Sequence, residues 1–311
     1  MNRKIFGIIL FLAIVALPVP GYGRWAIVDV AVASMRTEGR HSSEMSTQAI
    51  MGTPLKILKE KGEWYYVQGP DDYVAYVPSS LVRTVTEEQM KVWRKSRRVV
   101  VTAMQSTLVA DTLANFAVSD LVLGCILEYK GDAGAWVKAA TPDGRVGYVR
   151  KQDVADFDTW ARQAFDADLI ISTARSMLGM SYLWGGTSTK MADCSGFTKT
   201  CYFANAIILQ RDASEQALYG TSIRPEVWKE ARKGDLLFWG NSAGQVTHVG
   251  LYIADGECIH CSGMVKYNSI DPDDADYLGR PLHSIRRVAG NVGTNKGIVP
   301  VRLHPWYFNK Q

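Results

Sequence analysis

Between residues 26 and 155 the apolar positions recur in short alternating runs. Residues 49–58, 64–68, 75–78, 99–103, 125–130, 136–140 and 147–149 are rich in β-branched and aromatic side chains, and Gly, Asp and Pro bound them. Such runs predict strands, so this half of the chain reads as all-β. Residues 86–98 break the pattern: Thr86 is placed to cap a short polar helix, and Arg97 and Arg98 suit its carbonyl end. A second polar, helical connection is expected over 156–168. From Leu169 the period becomes helical, predicting a helix over 169–178 capped by Asp168 and closed by Gly179. A Gly-rich turn follows at 182–186, and then an apolar helix opens at Asp193-Cys194 and runs toward Ile208. Three later runs, 235–239, 246–253 and 258–261, read as strands. The order is β modules first, then an α+β unit.

The β half repeats itself. Gly62-Glu63-Trp64-Tyr65-Tyr66-Val67, a Pro70-Asp71 turn and a strand ending Tyr76-Val77 are matched by Gly134-Ala135-Trp136-Val137-Lys138-Ala139, Pro142-Asp143 and Tyr148-Val149. The second copy lies 72 residues after the first, which implies tandem domains rather than a solenoid. Each copy resembles a bacterial SH3-like barrel. The implied domains are 24–85, 86–155 with its helical linker, and 156–311.

The amino terminus carries a different signal. Arg3 and Lys4 precede an apolar run over 5–17, which Pro18 and Pro20 end before the small residues of Gly21-Tyr22-Gly23. That layout predicts a signal peptide over 1–23 and an exported protein, periplasmic or extracellular, with no stable membrane insertion after cleavage. Removing its two basic side chains takes the formal charge from +4 to +2. No basic stripe remains to recruit nucleic acid, and a monomer is expected.

All five cysteines lie beyond that segment, and an odd count in an exported chain leaves at least one thiol free. Cys194 and Cys201, seven residues apart on one predicted helix, are separated by roughly 10 Å, too far for a disulfide. Cys258 and Cys261 flank His260 and with His248 suggest a Cys/His zinc site. In a strand, however, Cys261 faces away from His260, so no metal and no cofactor are expected.

Cys194 at a helix start has free backbone amides and the positive end of the helix dipole beside it. Both predict a lowered thiol pKa and an oxyanion site. In the run 247–253, His248 alternates with the core-facing Val249, Leu251 and Ile253, and His260 alternates likewise in the next run. Paired antiparallel strands would bring His260 to orient His248, giving nucleophile, base and orienter.

Six segments carry a family resemblance: Tyr-x-Trp-Gly-Gly at 182–186, Asp-Cys-Ser-Gly-Phe at 193–197, Arg-Asp-Ala-Ser-x-Gln at 211–216, Lys-Gly-Asp-Leu-Leu-Phe at 233–238, His-Val-Gly-Leu-Tyr at 248–252 and Ile259-His260. In this order they resemble the NlpC/P60 peptidases, a papain-like fold. The resemblance implies Cys194 as nucleophile, His248 as base and His260 as the polar third member. Arg36, Ser43-Glu44 and Thr47-Gln48 ahead of the two barrels narrow it to the γ-D-glutamyl-L-diamino acid endopeptidases. That subgroup implies murein stem peptides as substrates. It also implies a first barrel that closes the cleft and holds the free L-alanine amine through Glu44 and Tyr73, with Tyr76 the alternative to Tyr73. Asp193 and Ser195 would complete the amine site, and Ser214 would touch substrate. A wall-binding module without catalysis, or a papain-like acyltransferase or amidase on another γ-glutamyl group, are the rival readings.

Overall fold

The computed structural model describes residues 25–113 and 116–309; the expected signal peptide lies outside them. Seven strands between Trp25 and Val85 form one antiparallel sheet in the order third, second, sixth, fifth, fourth, first, seventh. The seven strands from Arg98 to Asp156 repeat that order. The duplication extends to detail: the fourth strands break register at Ile57/Lys59 and at Tyr129/Gly131, and 3-10 turns follow at Ser79–Leu81 and Lys151–Asp153. Each copy closes on its own apolar cluster, around Leu55, Val67 and Val77 in the first and Leu108, Leu127 and Val137 in the second.

One predicted strand, 49–58, is two: Met45–Ile50 and Pro54–Lys61. The chain reverses at Gly52 with φ +82°, where a Cβ would stand 2.5 Å from the Ile126 carbonyl oxygen. Met51 and Leu55 are both buried across the turn, so the apolar pattern runs on without marking it. The linker helix α1 (Glu87–Lys95) starts as predicted: Thr86 accepts from the Gln89 amide, and the Gln89 side chain accepts from the Thr86 amide. The next two helices are α2 (Phe157–Ala161), capped by Asp156, and α3 (Ala167–Ser176), capped by Asp166 rather than Asp168. The Asp166 carboxylate takes the amides of both Asp168 and Leu169, so the helix begins two residues early.

Helix α4 (Cys194–Ala204) stops short of Ile208, because Ala206 turns the chain with φ +55°. Ile207–Leu209 then pairs with Ile298–Pro300. A short α5 (Ala213–Gln216) follows. The sheet of the carboxyl-terminal unit has six antiparallel strands ordered Thr221–Ile223, Leu282–Arg287, Leu236–Gly240, Val246–Ala254, Glu257–Ser262, Met264–Ser269. Helix α4 packs on one face of it through Phe197, Cys201 and Tyr202 against Phe238, Val249 and Ile259. Cys261 lies in this layer while Cys258 lies in the layer on the opposite face, and all five cysteines are free and buried.

The carboxyl-terminal tail ties the three units together. Tyr307 is buried, Trp306 stacks edge-on against Trp25 at 5.1 Å, and His304 donates to the Pro70 carbonyl at 2.9 Å. The buried Arg98 guanidinium donates to the Tyr307 carbonyl and lies against the rings of Trp93, Phe157 and Phe308.

Candidate active site

Asp193 caps α4 by accepting from the Gly196 amide at 2.7 Å, which sets Cys194 at the first helical position. Cys194 is buried, 8% exposed, and its titration reflects that. Burial first, then the Asp193 carboxylate, push the Cys194 thiol up to about 11, while the backbone amides of Val249 and Ser195 pull it down. The expected lowering at the helix start is therefore outweighed by desolvation.

His248 and His260 lie on adjacent strands. His248 Nε2 is 2.7 Å from His260 Nδ1, with the rings edge to face. Gly250, opposite His260 in the ladder, makes that approach possible, since a Cβ on it would stand 2.9 Å from the His260 Cβ. Because His248 uses Nε2 for its neighbour, Nδ1 is the nitrogen left for proton transfer. The buried Trp239 ring covers both imidazoles, at 5.3 and 6.1 Å. Burial is the main cause that holds both histidines below their ordinary range, and His248 falls to about 3. The far side of His260 is engaged as well: its Nε2 lies 2.9 Å from Asn268 Oδ1.

The first barrel meets this centre along one edge. Glu44 Oε1 accepts from the Trp184 indole at 2.6 Å, and Gln48 Oε1 accepts from the Thr187 amide and the Ser188 hydroxyl. Behind them Arg211, 2% exposed, donates to Thr47 of the barrel, to both oxygens of Asp193 and to the Ser195 hydroxyl. Asp193 also takes the Gly185 amide, so both its oxygens are engaged by protein donors. Tyr73 is half-buried and faces the charges of Asp212, Arg211 and Glu215, with the Ser46 side chain bonded to its phenol. Tyr76 instead packs on Tyr66 with Lys61 above it, so Tyr73 is the tyrosine that faces the carboxyl-terminal unit. Ser214 is exposed on α5, in a groove shared with Gln245, Thr247, Ser284 and Arg286.

Three participants were not anticipated as such. Tyr182 carries a phenol whose pKa burial and the nearby Cys194 and Asp193 raise, so it remains a proton donor beside the sulfur. Arg211 carries a signal only as part of a motif, where it stands two residues ahead of the short helix α5. Asn268 gave no signal, because the strand that holds it lacks a clear apolar alternation.

A thiol at a helix start, an imidazole held by a second imidazole and a donor-rich cleft define a cysteine hydrolase site. The comparisons agree with that class. Residues 179–287 match the NlpC/P60 family and residues 35–81 match the bacterial dipeptidyl-peptidase Sh3 domain. The chain thus carries an NlpC/P60 cysteine-peptidase domain behind a dipeptidyl-peptidase SH3 domain. A gamma-D-glutamyl-L-lysine dipeptidyl-peptidase of Bacillus cereus is 28% identical, over 71% of this chain and 68% of that relative. Dipeptidyl-peptidase 6 of Lysinibacillus sphaericus is also 28% identical, over 79% of this chain and 92% of that relative. The crystal structure of an NlpC/P60 family protein from Bacillus cereus shares the fold, with a TM-score of 0.74 at 22% identity over 85% of this chain and 99% of that one.

Proposed function

We propose that the protein hydrolyses the γ-D-glutamyl bond to the diamino acid in murein stem peptides whose amino-terminal L-alanine is free. One observation carries this reading: a barrel carboxylate, Glu44, is anchored by Trp184 at the mouth of the Cys194 cleft, while Tyr73 of the same barrel faces Arg211 and Asp212. An exposed carboxylate held at one end of a peptide cleft suits a terminal ammonium. Asp193, whose own oxygens are taken, adds negative field there rather than a vacant acceptor.

In this mechanism His248 Nδ1 removes the thiol proton as Cys194 sulfur attacks the γ-carbonyl. Amides at the start of α4 and the Tyr182 phenol steady the oxyanion. His248 then protonates the departing amine, leaving a thioester that water hydrolyses with His248 again as base. A cleft closed by the first barrel excludes glycan-linked chains, which fits recycling or scavenging of released peptides by an exported enzyme. The test is mass spectrometry of L-Ala-γ-D-Glu-diaminopimelate and its N-acetylated twin. Release of L-Ala-D-Glu from the free peptide alone supports bond and clamp together. Cleavage of both discards the clamp, and cleavage of neither refutes the reading.

A further inference from the structure

The histidine pair has a third partner, and its hydrogen bonds constrain where every proton in the relay sits. Asn268 lies on the hairpin strand next to His260, diagonal to it in the ladder: Cys258 pairs with Asn268 and His260 with Lys266. Its amide nitrogen donates to the Asp276 backbone carbonyl at 2.9 Å. A carbonyl only accepts, so the NH2 end must face Asp276 and the oxygen must face His260. That oxygen, 2.9 Å from His260 Nε2, in turn accepts only a proton-bearing nitrogen. Neutral His260 therefore carries its proton on Nε2 and presents a bare Nδ1. His248 Nε2, 2.7 Å away, must then be the donor, and His248 Nδ1 is bare.

We propose that Asn268 is a positioning residue that fixes the tautomers of both imidazoles and so keeps the basic nitrogen of His248 turned toward the nucleophile. The chain of constraint runs Asp276 carbonyl, Asn268 amide, His260, His248. Without Asn268 nothing selects between the two tautomers of His260. With the proton on Nδ1, His260 would donate to His248 Nε2 and force the His248 proton onto Nδ1, where it blocks removal of the thiol proton. The charged groups around the pair are Lys266 on the same hairpin and Arg280 in the segment before the sheet strand Leu282–Arg287, both cationic, while α4 presents the Cys194 thiol. Neither cation accepts a hydrogen bond, so Asn268 has no substitute among them.

The inference rests on the proposed peptidase chemistry, but its first readout does not need substrate. In full-length protein labelled with 15N-histidine, long-range 15N–1H spectra at neutral pH should show His248 and His260 both protonated at Nε2 and bare at Nδ1. Asn268→Leu should mix the His260 forms and lower kcat about tenfold or more, with KM within about twofold, as expected when a general base is mispositioned. Asn268→Asp keeps the acceptor and adds a charge that favours imidazolium. It should hold the tautomers, restore most of kcat and move the acid limb of the pH profile upward by about one unit. A wild-type His260 protonated on Nδ1 overturns the proposal, as does an Asn268→Leu protein with unchanged tautomers and kcat. If the leucine variant does not fold, the wild-type spectrum and the aspartate pH shift decide. A wild-type protein with the stated tautomers that cleaves no stem peptide would leave this inference standing and sink the proposed substrate.

Discussion

At the level of single side chains, the site is dominated by desolvation. Burial drives Cys194 toward the thiol and His248 toward the neutral imidazole, so each lone ion is disfavoured and the proton passes between them rather than to solvent. A base that resists protonation remains usable in acid. The acid limb of kcat/KM should lie below the ordinary histidine value of about 6.5, as read from a pH profile on the free tripeptide. Stability responds in a related way. Below that value the unfolded chain binds protons that folded His248 and His260 refuse. Their contribution is thus intact above it and is lost as pH falls toward about 3, the folded value of His248. Urea titrations at descending pH should show this loss, and a flat profile would contradict it. Glu44 offers a cleaner separation of charge from shape. Glu44→Gln keeps an acceptor for Trp184 but removes the negative charge, so KM for the free-amine peptide should rise about tenfold or more with kcat within about twofold.

At the level of elements, most of the architecture was legible because its signals are local. Strands with β-branched runs, the Thr86 cap and the helix opening at Asp193-Cys194 could be read directly. The misreadings have local causes too. Gly52 reverses the chain inside a continuous apolar run, and Asp166 competes with Asp168 for the same helix start. The strands Met264–Ser269 and Leu282–Arg287 escaped notice because polar residues crowd both: one holds Lys266 and Asn268, the other His283 and Ser284. Cys194, His248 and His260 were readable from helix-start chemistry and strand alternation, whereas Asn268 depends on a hairpin register that no spacing reveals. The linker helix gives a control far from the chemistry. Thr86→Ala should cost about 1 kcal/mol of stability through the lost cap and leave kcat/KM unchanged, measured by denaturation and by peptide turnover.

For the molecule as a whole, the first barrel is held to the peptidase unit by polar contacts that also shape the cleft: Glu44 to Trp184, Gln48 to the 187–188 backbone and hydroxyl, Thr47 to Arg211, and the largely buried Asp71–Lys199 pair at 2.8 Å. Desolvation alone would raise the Asp71 pKa, but the Lys199 charge beside it brings the net shift below the usual carboxylate range. Lys199→Met would strand that charge at the junction. The expected cost is about 3–5 kcal/mol, and part of it should be recovered by adding Asp71→Asn, seen as a thermal shift in the double variant.

The duplicated barrels carry a historical consequence. Glu44 and Tyr73 each stand one residue before a strand, and the same two stations in the second copy hold Phe116 and Arg145. Arg145 points back at the first barrel, donating to the Asp29 carbonyl and lying 3.6 Å from its carboxylate. Two sibling modules with the same strand order have thus diverged into a copy that edges the Cys194 cleft and a copy that braces its neighbour. Ancestry inferred from the fold would score them as equals, and only the residues at those two stations tell which one came to border the cleft.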